Sequence, residues 1–112
     1  MLLTPVIMLT FMSASLLLHE STSLATPVRG PCLGLHVTMN GDAGNNVLIG
    51  TDHRDVIHGR QGDDTILSLG KDDYVCGGRG NDTINGGDGF DQGRGGPGVD
   101  RCVNLDQSRS CR

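Results

Sequence analysis

The 112-residue sequence contains no Trp, one Tyr and two Phe, so only 3% of its side chains are aromatic. A core built on large rings is therefore excluded, and the length allows at most one domain. Glu is nearly absent: 12 of the 13 acids are Asp, and Glu20 is the exception. Acidic helical proteins use Glu, whereas short carboxylates beside Gly belong to turns, so helical bundles are disfavoured. Clustered Lys and Arg are lacking too. The formal net charge is −4, which argues against nucleic acid as a partner because phosphate binding needs a basic cluster. No long apolar run occurs after the first 18 residues.

What is present begins with an address. Residues 1–18 are apolar with a few Ser and Thr and no charge. Small residues at Ser23 and Ala25 fit a signal-peptidase site, with cleavage expected after Ala25. The missing Lys or Arg before the apolar stretch departs from the usual leader. An uncleaved anchor is the alternative, although a stretch broken by Pro5 is short for crossing ~30 Å of hydrocarbon. Cys32 follows Val28, Arg29, Gly30 and Pro31, which is no lipobox. The expected product is secreted, with no stable membrane insertion once the leader is gone. Its four cysteines, Cys32, Cys76, Cys102 and Cys111, are an even set in a small exported chain, which reads as two disulfides with three possible connectivities. A zinc site lacks its usual close Cys pairs.

From Gly41 a period of nine takes over. The units are GDAGNNVLI, GTDHRDVIH, GRQGDDTIL, SLGKDDYVC, GGRGNDTIN, GGDGFDQGR and GGPGVDRCV, seven repeats over residues 41–103 without a gap. Gly fills the first column in six repeats and the fourth in five. The sixth column reads Asn46, Asp55, Asp64, Asp73, Asp82, Asp91 and Asp100, and the eighth Leu48, Ile57, Ile66, Val75, Ile84, Gly93 and Cys102. Several columns held in phase over tandem units specify a repeat architecture. Gly permits left-handed backbone and close approach, so the first six residues make a turn. The last three make a short strand with its middle residue inward. Two repeats close one coil of eighteen residues, and coils stack into two parallel sheets.

So few inward aliphatics cannot alone offset the ordering of the chain, and stacked carboxylates along one edge would repel. A cation between the turns is expected. Carboxylates and carbonyls as the only ligands select a hard ion of flexible geometry, which favours Ca²⁺ over Mg²⁺.

The unit GGRGNDTIN at residues 77–85 resembles the hemolysin-type calcium-binding (RTX) nonapeptide G-G-x-G-x-D-x-U-x at every fixed position. The arrangement of Cys32, Cys76-Gly77-Gly78 and Asp100-Arg101-Cys102 also resembles small exported actinobacterial proteins built from such repeats. The resemblance implies an all-β fold, a right-handed parallel β-roll that binds Ca²⁺ between turns adjacent along one edge. Its ligands would be sixth-column carboxylates and turn carbonyls. On the edge shared by repeats one, three, five and seven these are Asp64, Asp82 and Asp100, with Asn46 as a neutral substitute. Turn glycines Gly59, Gly62, Gly77, Gly78, Gly80, Gly95 and Gly98 accompany them. The other edge carries Asp55, Asp73 and Asp91. There His53 and Lys71 stand in the glycine-requiring fourth column and Ser68-Leu69 replaces a Gly pair, so weaker binding is expected. In all, roughly two to five ions are expected at oxygen-rich turns of this kind.

The segments around the roll are read as an N-terminal cap over residues 26–40, with Met39 inward, and a C-terminal tail over 104–112 pinned by Cys111. The expected pairing is Cys102 with Cys111, a short closure, and Cys32 with Cys76. Asp63 and Asp72 in the fifth column read as solvated turn acids rather than extra ligands. His36, His53 and His58 read as surface residues, since no nucleophile stands at a catalytic spacing from them and no enzyme is expected. Val47, Ile49, Val56 and Leu67 should face outward, either as an interaction patch or under cover of residues 26–40. The leading reading is a non-enzymatic calcium binder whose folding is coupled to Ca²⁺, with the protein partner open. The rivals are a cell-surface adhesion module using the roll as scaffold, an ice-binding roll and the secretion tail of a larger toxin or protease. The irregular seventh column (Val, Val, Thr, Tyr, Thr, Gln, Arg) counts against the ice binder.

Overall fold

The computed structural model describes residues 32–112. The expected leader, residues 1–25, and the first part of the cap segment lie outside the described residues. Among the described residues nine strands follow one another: β1 (Met39–Asn40), β2 (Val47–Ile49), β3 (Val56–Gln61), β4 (Thr65–Leu67), β5 (Tyr74–Arg79), β6 (Thr83–Asn85), β7 (Gln92–Arg94), β8 (Arg101–Val103) and β9 (Gln107–Arg109). They form two parallel sheets, one in the order β1-β3-β5-β7-β9 and the other β2-β4-β6-β8. Each strand pairs with the next but one, and in every pair but the last the offset is eighteen residues, as in Val47 with Thr65 and Val56 with Tyr74. The period-nine reading of a two-sheet parallel roll is therefore correct.

The inward column forms the core as expected. Ile57, Ile66, Val75 and Ile84 are fully buried, Leu48 nearly so, and Met39, Cys102 and Leu105 pack against them. Branched aliphatics suit this position because two sheets one strand deep leave room for one medium side chain per strand.

The ladder runs half a coil further at each end than the seven repeats. β1 pairs with β3 ahead of them. At the other end, residues 107–109 are a strand on β7, with Gln92 opposite Gln107, an offset of fifteen. The intervening turn has three residues instead of six. Leu105 in that turn fills the space left by Gly93, where even a Cβ would collide with its Cδ1.

A second, smaller cluster lies on the outer face of the five-stranded sheet. Cys32, Val56 and Cys76 are buried there against Leu35, Val37 and Tyr74. Of the four apolar residues expected to face outward, Val56 is thus covered by residues 32–37, whereas Val47 and Ile49 on the opposite sheet are exposed. Cys32 is bonded to Cys76 and Cys102 to Cys111, each with a Cα–Cα distance of 5.6 Å. The first bond fixes the cover to β5, and the second ties the last residues to β8.

Candidate metal centre

The turns stack on two edges. Residues 41–46, 59–64, 77–82 and 95–100 share the first, and 50–55, 68–73 and 86–91 share the second. In the second and fourth columns the backbone is left-handed through most of both stacks: Gly78, Gly80, Gly96 and Gly98 all have φ above 100°. A Cβ at Gly80 would collide with the Gly62 carbonyl oxygen, and one at Gly98 with that of Gly80. Second-column glycines lie equally close to the turn before, Gly78 over the Arg60 carbonyl and Gly96 over that of Gly78. Glycine therefore brings rows of carbonyl oxygens to the gap between adjacent turns.

The first two turns depart from this geometry. Neither Gly44 nor His53 has positive φ. Turn 41–46 closes with the Gly44 N–H donating to Asp42 Oδ1 at 2.8 Å, and turn 50–55 with the His53 N–H donating to Thr51 Oγ1 at 3.1 Å. The strain expected at His53 is thus absent, because a side-chain-closed turn replaces the glycine turn. Lys71 does adopt φ 75°, and Leu69 two residues before it φ 77°, so turn 68–73 keeps the shape of turn 86–91 at some conformational cost.

Sixth-column carboxylates point into the stack. Asp64, Asp73, Asp82, Asp91 and Asp100 are each no more than 2% exposed. One oxygen of each is used. Oδ1 of Asp64 accepts the N–H of Asn46, that of Asp82 the N–H of Asp64, and that of Asp100 the N–H of Asp82, at 2.8–2.9 Å. On the second edge Asp73 accepts from Asp55 and Asp91 from Asp73, while Asp106 accepts from Asp91 in the shortened turn. The other oxygen, Oδ2, is buried with no partner in all five. In Asp64, Asp82, Asp91 and Asp100 it sits over the first-column glycine of its own repeat, so that a Cβ at Gly59, Gly77, Gly86 or Gly95 would strike it; the repeat of Asp73 has Ser68 in that column.

A buried carboxylate oxygen without a donor is costly. Burial accordingly raises the pKa of Asp64 and Asp91, and pushes Asp73 and Asp82 up to about 6. The donor set suits Ca²⁺: buried, unpartnered carboxylate oxygens and carbonyl-lined gaps too narrow for a side chain. Among the described residues no three His, Cys, Asp or Glu side chains converge. An ion here must therefore draw on the carbonyls as well. Asp55 differs, since its Oδ2 already accepts from the Thr51 N–H at 2.7 Å and hydroxyl at 3.0 Å. Asn46 is also engaged, accepting from the Asp42 N–H.

The fifth column has a role that sequence reasoning missed. Asn45 Oδ1 accepts the N–H of Asp63, Asp63 Oδ1 that of Asn81, and Asn81 Oδ1 that of Val99. Asp72 likewise accepts from Phe90. These side chains reach forward by eighteen residues, whereas the sixth column reaches back by eighteen. Adjacent turns are therefore stitched in both directions. The recurrence of Asn or Asp at Asn45, Asp63, Asp72 and Asn81 was the available signal.

The RTX calcium-binding nonapeptide repeat matches this sequence in four copies, over residues 38–66 and 68–102. No curated protein and no solved structure matches the chain significantly. The matched repeats cover more than half of the chain, and calcium binding by a β-roll is their chemistry. The protein belongs to the RTX calcium-binding nonapeptide repeat family.

Proposed function

We propose that Ca²⁺ occupies the gaps between turns whose sixth-column carboxylates keep an unpartnered buried oxygen. On the first edge these are the gaps flanked by Asp64 and Asp82 and by Asp82 and Asp100. Turn carbonyls of Gly59, Gly62, Gly77, Gly78, Gly80, Gly95 and Gly98 lie in the same turns. On the second edge the gap is that flanked by Asp73 and Asp91. Asn46 and Asp55 stand outside this set because their oxygens already accept hydrogen bonds. Three ions per chain follow. The observation that carries the reading is the row of five orphaned Oδ2 atoms.

Folding is coupled to the ion in this reading, because a ligand that binds only the folded chain stabilises it by RT ln(1 + [L]/Kd). The protein is exported, non-enzymatic and acts in a calcium-rich exterior, supported by the apolar leader-like N-terminus and the two disulfides. Native mass spectrometry of the oxidised chain in Ca²⁺ should give three bound ions, two in Asp82→Ala at most, and three in Asp55→Ala. Equal loss in the two variants would contradict the assignment. A melting curve indifferent to both EDTA and Ca²⁺ would remove the coupling.

A further inference from the structure

Among the described residues of an acidic chain, a groove is lined by basic side chains with no acid among them. It has a volume of about 540 Å³ and opens on the outer side of the five-stranded sheet, lined among others by Arg60, Arg79 and Arg94 together with His58. The register explains how it forms. His58 lies opposite Cys76, which lies opposite Arg94, and this column makes one wall. Gln61 lies opposite Arg79, with Pro97 beyond it through the Gly80 N–H bond to the Pro97 carbonyl, and this makes the other wall. Between them runs the second column: Arg60 opposite Gly78, and Gly96 packed on Gly78. Two glycines in a row beyond Arg60 leave the trough empty of side chains.

Arg60 occupies a backbone position with φ 84° that the next two turns fill with glycine. Leu69 shares that conformation on the other edge, so strain alone does not mark a site. What distinguishes Arg60 is that its strained position places a guanidinium at the head of a groove already flanked by two others. His58 adds an imidazole to the same wall as Arg94.

We propose that this groove binds an oxyanion ligand carrying two or three ester-linked tetrahedral anions. Guanidinium forks pair bidentately with such groups. Arg60 on β3 and Arg94 on β7 are two strands apart, roughly 10 Å at ordinary strand spacing, with Arg79 on β5 between them. The volume suits a ligand of disaccharide size. Sulfate esters and phosphodiesters both present such groups in series, and the shared chemistry is a singly charged ester anion repeated along the ligand.

The test is calorimetric titration of the oxidised, Ca²⁺-saturated protein with sucrose octasulfate in one arm and a glycerol phosphodiester trimer in the other. Saturable binding is expected in at least one arm, and the arm that saturates identifies the source. Arg79→Gln and Arg94→Gln should each weaken it at least tenfold. Arg60→Gly should weaken it similarly while leaving the melting temperature unchanged or raised, since glycine suits that φ. None of the three residues belongs to the proposed calcium set, so ion stoichiometry by native mass spectrometry should be unchanged. Absence of saturation in both arms, or full affinity in Arg60→Gly, would overturn the proposal.

Discussion

Replacing the same column residue in two turns should have opposite effects. In Gly80→Ala the new Cβ meets the Gly62 carbonyl oxygen and carbon, at φ 130°. A side chain in that glycine-favouring region costs ~1–3 kcal/mol. Relief of the collision must also separate turn 77–82 from its neighbours. That weakens the Gly80 N–H bond to Pro97 at 3.1 Å and the Asn81 N–H bond to Asp63 at 2.8 Å, each contributing ~1 kcal/mol net. The sum is roughly 3–5 kcal/mol, and at ~4–8 °C per kcal/mol for a domain of this size the melting temperature should fall by roughly 10–40 °C. In Gly44→Ala the Cβ finds only Asp42 Oδ1 at 3.4 Å and the φ is not positive. Loss of chain entropy in the unfolded state should then stabilise by ~0.4–1 kcal/mol. Circular-dichroism melts of the oxidised variants in EDTA read the fold without the ion, and repeats in Ca²⁺ read the linkage. Equal destabilisation by the two substitutions in EDTA would refute the argument that the second and fourth columns are held by carbonyl approach.

Acidity should act oppositely on the calcium-free and calcium-saturated protein. With Asp73 and Asp82 raised to about 6 by burial, the fold holds their protons more tightly than the unfolded chain. The stabilisation is full below about pH 4 and is lost as pH rises through 6, so EDTA melts should be higher at pH 5 than at pH 7.5. Calcium should reverse that order, because protons compete with the ion. His58, whose pKa burial lowers, opposes the first trend below pH 6.5, and a His58→Gln background isolates the carboxylates. EDTA melts that rise with pH in that background would refute the burial argument. Reduction of the Cys32–Cys76 bond opens a closure of 44 residues and should cost about 4 kcal/mol by the loop-entropy relation. Cys32→Ser/Cys76→Ser should therefore melt well below the parent and release the cover from Val56, detectable as faster amide exchange in β3. Unchanged exchange there would show that packing alone retains the cover.

Most of the roll was legible because one physical requirement repeats: a strand residue facing inward every nine, with glycine wherever turns touch. Leu48, Ile57, Ile66, Val75 and Ile84 needed nothing more. The ends were less legible because the period fails there. Gln107 sits fifteen residues after its partner, and Leu105 reaches the core from a turn rather than a strand. Among the candidate residues, column position alone equates Asp55 with Asp73. Only the hydrogen bonds separate them, since Thr51 satisfies the oxygen that is left bare in Asp73. The cover over Val56 depends on a disulfide whose pairing no spacing dictates.

The outermost strands, β1 and β9, lie on the same sheet, at opposite ends of its order. The chain thus enters and leaves the roll on one face, which also carries the Cys32–Val56–Cys76 cover and the arginine groove. The face made by β2, β4, β6 and β8 bears neither terminus of the ladder. Parity follows from this. Inserting or deleting a single nonapeptide would carry the exit strand to the opposite face, whereas eighteen residues would keep entry, exit and both edges in place. Lengthened or shortened versions of this protein should keep their architecture only in steps of a whole coil.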